Sequence, residues 1–567
     1  MTRARFLRHE ALWPCLGLLV AILTVYARSL GNAPVWDDAL LVVENPNLRT
    51  LGGLRNLLTT DLWTSSGLAE PSSYYRPFTM LTYWITTIAG GSVAALRLGN
   101  VVLHAVNAVL LALLARRAAN VGWVAAGLVA LVWALAPVCS EPVLWIAGRF
   151  DLPVVTFALL ALLASRMQGR LGLPLTLSSV AAGLLSKESF FGWIPLIVLD
   201  DLLVRRTAPG RSWVKYAALG GLVAAYLLLR RLLGIPSLVV VTQAGGLAIA
   251  ESLLLLTATF LRLLIWPTAL DPYRPYAALS RPGLVLAAVL LAVFFAVAAA
   301  ALLRFRDSAR ARVALFGLAW FVLATVPGAV AGIHLDLIGD RYAYLPLVGL
   351  FLTLTALAGA MQARLLARPS RTPARALGIA LLALSTCEGW LTVRRAADWR
   401  DDTALAESSL RSSPGNPYAL YMLGKMAAER GDLEQADTLL SRAMAGNARS
   451  WRTWNAVCFV RIRQNRLGDA AQACTQGLSI HPGNPRGWVN LAVILVRAGR
   501  WREASAASEQ ALALKPVYAE ARYLAAVSAA NLGEMDRARE HLARGIAADP
   551  RHAGLRDLER QLREPRP

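Results

Sequence analysis

The sequence contains no GxxxxGK[ST] run, no HExxH and no CxxC pair. Direct use of a nucleotide, a zincin-type site and a zinc ribbon or dithiol redox motif are therefore set aside. Five cysteines and six histidines are scattered over 567 residues, so no metal ligands are assigned and dependence on a divalent metal is left open. Acid is also scarce: 36 Asp and Glu face 58 Lys and Arg, a net charge of +22. What is abundant is apolar. Hydrophobic residues make up 56% of the chain and charged ones 17%, with a mean hydropathy of +0.47. That excludes a soluble protein of this size and marks an all-α, polytopic helical membrane protein with room for a soluble domain.

The placement of the basic excess argues against nucleic acid as a partner. Before residue 401 there are 35 Lys and Arg against 18 Asp and Glu, and most of these arginines lie in short loops between apolar runs. This is the bias of loops held on the inner side of a membrane, and it needs no polyanion. Arg3, Arg5 and Arg8 precede apolar 11–27, which reads as a signal anchor because further spans follow. Residues 31–95 then form a first outer loop, with an amphipathic interfacial helix at 78–89. Further spans are expected near 96–115, 121–138, 151–165, 171–186, 189–204, 213–233, 283–303, 313–331, 343–363 and 376–393. Segment 249–266, with Glu251 and Arg262, is expected to be re-entrant or interfacial. Eleven crossings result, and the carboxyl-terminal part lies outside. A twelve-span alternative would put two arginine clusters on the outer side. In the second span Asn100, His104 and Asn107 share one helix face, as hydrogen bonding between helices requires.

From about residue 417 the period becomes 34. Ala436, Ala470, Ala504 and Ala538 recur at that spacing, as do Pro482, Pro516 and Pro550. Gly431, Gly499 and Gly533 mark turns between paired helices, with Asn465 in the same place in the second unit. This is the pattern of four tetratricopeptide repeats, an α-solenoid with a groove suited to an extended peptide. The expected organisation is a membrane domain over 1–395, a linker over 396–416, repeats over 417–552 and a tail over 553–567. Cys458 and Cys474, both in the second repeat, are expected to be small core-packing residues rather than a disulfide.

Four charged stretches flank apolar spans on what the charge bias makes the same outer face. They are Trp36-Asp37-Asp38, Glu141 through Arg149 and Asp151, Lys187-Glu188, and Asp340-Arg341. Carboxylates beside a span are costly and point to a site, although Asp37 and Asp38 could also be two solvated loop residues. An acid pair with Arg149, Lys187 and Arg341 suits sugar transfer from a lipid phosphate. A carboxylate takes the acceptor proton, and the cations stabilise charge on the departing phosphate. Each cation taken alone also fits a snorkelling interfacial residue.

These stretches, with Tyr75-Arg76-Pro77-Phe78-Thr79 and Ser186-Lys187-Glu188-Ser189, resemble the transmembrane and tetratricopeptide-repeat-containing O-mannosyltransferases. Those are relatives of the protein O-mannosyltransferases with the C-type glycosyltransferase (GT-C) fold. The order of motifs, then repeats, is the specific feature, and four repeats is a short array for that family. The resemblance implies a polyprenyl-phosphate-linked sugar donor, transfer on the non-cytoplasmic face and a catalytic Asp in the first outer loop, matching Asp37 or Asp38. It also implies a lipid-linked donor and a protein or peptide acceptor as partners, with mannose the expected sugar. The Ala-, Leu- and Arg-rich composition points to a bacterial inner membrane with periplasmic repeats. Asp37 is expected to be the base and Asp38 to orient it. Arg149, Lys187 and Arg341, with Arg76, are expected to bind the donor phosphate, and Glu188 to fix Lys187. Glu141, Asp151 and Asp340 are expected to support them. The rival readings are a non-enzymatic membrane scaffold that presents repeats, and a glycosyltransferase acting on a glycan or lipid.

Overall fold

The computed structural model describes residues 2–67, 72–236, 246–275, 308–335, 337–366 and 372–563, with scattered positions between 283 and 300. The chain divides into two compact units, Met1–Ser413 and Pro414–Pro567. The first unit opens with α1 (Thr2–Tyr26). A segment between the first two long helices follows, carrying α2 (Gly53–Thr59) and α3 (Pro77–Ile88). Next come α4 (Val93–Ala119), α5 (Trp123–Leu135), the single turn α6 (Glu141–Leu144), α7 (Leu152–Ser165) and α8 (Gly172–Leu184). After these are α9 (Pro195–Leu199), α10 (Pro209–Leu232), α11 (Gly246–Ile265), α12 (Ala309–Leu335), α13 (Tyr344–Leu366), α14 (Thr372–Asp398) and α15 (Asp402–Ser412).

Eight of the described helices are long and apolar enough to cross a membrane, and the chain is an integral membrane protein. Their outward side chains agree: Leu232, Ile265 and Trp213 are more than 60% exposed, where lipid replaces water. Among the described residues eleven separate long helices are not found. Trp123–Leu135 and Gly172–Leu184 are shorter. The span expected at 189–204 is broken into a 3-10 turn, α9 and a π turn, with buried Asp200 bonded to Arg166. The expected span 283–303 lies largely outside the described residues. Segment 249–266 sits in one continuous helix, α11.

Interhelical contacts in this unit rely on small residues and on a polar seam. The backbones of α12 and α13 cross where Gly317 and Gly349 face each other, and a Cβ on Gly317 would lie 2.4 Å from Gly349 O. On α4, Asn107 Nδ2 donates to Leu152 O at 3.0 Å and to the Tyr344 hydroxyl at 3.1 Å. His104 contacts Ala134 O at 2.8 Å and the Tyr344 hydroxyl at 2.7 Å. Because Ala134 O can only accept, His104 Nε2 carries the proton and Nδ1 accepts from Tyr344.

The stretch 396–416, expected as a linker, is instead mostly helical, since α14 runs to Asp398 and α15 follows at once. Asp401 caps α15 by accepting from Ala404 N at 2.8 Å. Two short strands, β1 (Arg274–Pro275) and β2 (Leu337–Ile338), pair antiparallel with Arg274 opposite Ile338.

The second unit consists of four helix pairs. They are Pro417–Glu429 with Leu433–Gly446, Trp451–Arg463 with Leu467–Ile480, Pro485–Arg497 with Trp501–Leu514, and Ala519–Asn531 with Met535–Ala548. Gly431, Asn465, Gly499 and Gly533 all take positive φ, the left-handed turn that the 34-residue period places between helices. Gly424 is required by close packing, because a Cβ there would lie 2.7 Å from Leu440 Cγ. One expectation needs correction. Cys458 and Cys474 form a disulfide across the second pair; both are buried, and the helix crossing that selects small residues also brings their sulfurs together. In the tail, Ala553–Arg563 is a helix whose Leu555 and Leu558 cover Ala526 and Leu542 at the end of the stack.

Candidate active site

The four charged stretches meet at one end of the membrane unit. Arg341 is the hub. It lies within the one-turn Asp340–Ala343 element that joins β2 to α13, and its side chain reaches Glu141 of α6. Its Nη1 donates to Glu141 Oε1 at 2.7 Å and its backbone N–H to Glu141 Oε2 at 3.1 Å. The guanidinium also lies 5.3 Å from the rings of Trp36 and Trp145 and 4.9 Å from Tyr342. Lys187 reaches the same place: Nζ sits 5.6 Å from the Tyr342 ring and bonds Asp151 Oδ1 at 2.5 Å. Arg76 completes a set of three cations, bonding Glu188 Oε2 at 3.0 Å and lying 4.7 Å from both the Tyr74 and Phe150 rings. Each cation is thus clamped by one acid and walled by aromatic rings, largely removed from water.

Two assignments made from spacing change here. Glu188 does not fix Lys187. The 3-10 turn Glu188–Trp193 points it to Arg76 and to the Tyr75 N–H, which it accepts at 2.7 Å, and Asp151 takes Lys187. Arg149 is not aimed at an open site. It is 2% exposed, and Nε donates to Asn100 Oδ1 at 2.7 Å while Nη2 donates to Leu96 O. The bare Cα of Gly99 admits it, since a Cβ there would stand 2.6 Å from Arg149 Nη2. Arg149 therefore fastens the 147–150 turn to α4. Asp340 likewise serves the frame, accepting from Asp271 N at 2.7 Å and from Arg274 at 3.2 Å.

The Asp37–Asp38 pair is divided by its surroundings. Asp38 is fully buried and accepts the N–H of Val35 at 3.1 Å and of Ala147 at 2.8 Å. Burial pushes its carboxyl up to about 7, against the two backbone N–H groups and the Arg97 charge, which pull it down. Asp37 stays half-buried. Trp36, which precedes them and holds its ring 5.3 Å from the Arg341 guanidinium, has φ 58°, a left-handed conformation that a bulky residue rarely adopts. Its ring stacks on Trp145 with centroids 4.9 Å apart and meets the edge of Tyr273 at 4.8 Å. Glu141 is also pushed up to about 7, by burial first and the neighbouring Asp340 charge, with Arg341 opposing. Burial lowers the Lys187 ammonium, while Asp151 opposes the shift.

Arg97 is a site residue that spacing alone did not single out. It is buried and donates from Nη1 to Asn32 O at 2.7 Å, from Nη2 to Ala33 O at 3.0 Å and from Nε to Leu144 O at 3.1 Å. The signal was present: Arg97 falls three residues before Asn100, on the face shared with His104 and Asn107. Among the described residues no three His, Cys, Asp or Glu side chains converge as metal ligands.

The tetratricopeptide repeat family matches over residues 461–507 and 489–553. Over 206 residues the chain is 32% identical to Protein O-mannosyl-transferase Tmtc1 of Drosophila melanogaster, covering 35% of this chain and 24% of that protein. Over about a third of its length the chain is thus similar to a protein O-mannosyl-transferase. The C. elegans protein O-mannosyl-transferase F38B6.6 is 26% identical over 205 residues, 35% of this chain and 29% of that one. Human Protein O-mannosyl-transferase TMTC1 is 32% identical over 143 residues, 24% and 16% of the two chains. The chain thus spans less than a third of the length of each of these relatives. Among solved structures, YrrB, described as a TPR protein with an unusual peptide-binding site, is similar at 17% identity and a TM-score of 0.25. That match covers 32% of this chain and 90% of YrrB.

Proposed function

We propose that the membrane unit is a glycosyltransferase that moves a sugar, mannose by homology, from a polyprenyl-phosphate donor to an acceptor hydroxyl. The observation that carries this reading is the meeting of Arg76, Lys187 and Arg341, each paired with an acid, with Arg341 set against the ring of Trp36, the residue before the half-buried Asp37. Asp37 takes the proton of the acceptor hydroxyl as its oxygen bonds the sugar's anomeric carbon and the bond to the phosphate breaks. Arg341 and Lys187 face the charge that gathers on the leaving phosphate, with Arg76 behind them. Glu141 and Asp151 hold these cations in place. Asp38 fixes the turn that carries Asp37. The acceptor is a protein Ser or Thr hydroxyl, presented in extended form by the repeats.

The site and the repeats are assigned to the non-cytoplasmic side. The Cys458–Cys474 disulfide supports that side for the repeats, because such bonds persist in oxidising compartments. The test is transfer of labelled mannose from a polyprenyl-phosphate donor to peptides by the purified full chain. Incorporation at Ser or Thr is expected. Transfer to glycan or lipid alone would reassign the acceptor, and no transfer with peptides still bound would make the protein a scaffold.

A further inference from the structure

Residues 396–412 connect to the repeats in sequence, yet they are bonded into the charged face of the membrane unit. Asn32 Nδ2 donates to Ala396 O at 2.9 Å, and Ala33 N to Arg400 O at 2.9 Å. Trp36 N donates to Asp402 Oδ1 at 2.7 Å. Farther along α15, Ser409 Oγ donates to Asp271 Oδ1 at 2.6 Å and Ser412 Oγ to Leu270 O at 3.0 Å. Asp271 in turn gives its N–H to Asp340, next to Arg341. Both sides of the charged face, the Trp36 segment and the 340–341 turn, are therefore tied to this one helix.

The bond to Asp402 falls where the backbone most needs support. Trp36 holds φ at 58°, a region that an L residue with a large side chain occupies only when its surroundings force it. Two ring contacts, to Trp145 and Tyr273, fix the side chain. The amide is fixed by a charge-assisted hydrogen bond from a residue 366 positions away. With the Val35–Trp36 peptide and the Trp36 ring both held, Trp36 enters the turn to Asp37 in one orientation.

We propose that Asp402 is a positioning residue. It locks the Trp36 amide, so that Asp37 leaves the backbone in one direction, and α15 belongs to the working face of the membrane unit rather than to a tether. Asp402 itself touches no reacting atom. The consequence for transfer rests on the assignment of Asp37 as base; the consequence for the backbone does not.

The two are separated by measuring amide hydrogen exchange and transfer on the purified full chain. Asp402→Ala should speed exchange at Trp36 and its neighbours by roughly tenfold or more, the loss of a hydrogen bond to a charged group. Asp402→Asn keeps an acceptor oxygen and should leave exchange near that of the parent. In transfer, Asp402→Ala should lower kcat by about 10²-fold, as for a misplaced reacting group, with the donor KM within about twofold. Asp402→Asn should restore most of it. In an Asp37→Asn background, Asp402→Ala should add no further loss. If Asp402→Ala does not fold, Asp402→Glu, which shifts the acceptor by one carbon, takes its place in both measurements. Unchanged exchange in these variants would overturn the proposal, and so would multiplying losses in the double variant. Faster exchange in a chain that transfers no sugar would sustain the lock and refute the assignment of the reaction.

Discussion

The two units handle charge in opposite ways. In the repeats, ion pairs line the solvated helix faces: Arg500 and Glu503, three residues apart, remain 58% and 57% exposed. On the charged face of the membrane unit the pairs are buried and join distant parts of the chain, as Arg341 and Glu141 do at 10% and 3% exposure. Water screens the first kind, and a surface pair contributes about 0–1 kcal/mol. Removing the second kind from water costs several kcal/mol per ion, so apolar residues of similar volume would serve stability at least as well. Retaining three such pairs at one end of the bundle, among aromatic walls, is a poor way to hold helices together. It is a reasonable way to hold cations still for a phosphate.

The difference can be tested from its largest effect downward. Arg341→Ala should destabilise the membrane unit by about 3–5 kcal/mol, because Glu141 is left buried without its partner. Replacing the pair together, Arg341→Met with Glu141→Leu, should recover most of the thermal stability in detergent and none of the transfer. Recovery of both would mean that the pair is structural. In the repeats the strongest single restraint is covalent. Opening the Cys458–Cys474 bond, which closes a loop of 16 residues, should cost about 3 kcal/mol, read as the shift of the repeat unfolding transition under reductant. An unshifted transition would show that the bond is absent in the folded protein.

Titration separates the units more gently. Asp38 and Glu141 have folded values of about 7, above their ordinary range. A carboxyl raised by folding contributes stability that is complete below its unfolded value and is lost as pH rises through its folded one. The membrane unit should therefore lose stability as pH climbs from about 4 toward about 7. Glu141→Gln should flatten part of that slope. A slope of the opposite sign, or one untouched by Glu141→Gln, would show that these carboxyls do not lose their protons in the folded protein. The smallest effect is expected in the repeats, where Arg500→Ala should change stability by no more than about 1 kcal/mol.

The repeats were readable from sequence because a period of 34 residues repeats every constraint: the small crossing residue, the left-handed turn, the proline. The membrane part was readable only in outline. Hydropathy located most helices, and motif order located the stretches that meet. It could not say which acid pairs with which cation. Lys187 and Glu188 are neighbours, yet the 3-10 turn sends them to Asp151 and Arg76. Arg149 looked like a ligand for phosphate because its surroundings were unknown; Asn100 and the open Cα of Gly99 decide its place. Two partners were beyond reach of any local pattern. Asp402 lies 366 residues from Trp36, and Asp38 differs from Asp37 only in which way one turn faces. The cysteine pair was misread because burial alone does not separate a thiol from half a disulfide.

The central claim is that Asp37 is a base on a face built for phosphate, and that Asp38 is its support. It is tested most directly by comparing Asp37→Asn with Asp38→Asn in the purified full chain. Transfer and thermal unfolding should be read on the same preparations. Asp37 is half-buried and the change nearly isosteric, so Asp37→Asn should leave the unfolding temperature in place while transfer falls by roughly 10²–10⁴-fold. Asp38→Asn turns an amide group toward the N–H of Val35 or Ala147, and should lower the unfolding temperature together with transfer. Near-parental transfer by a stable Asp37→Asn protein would contradict the account.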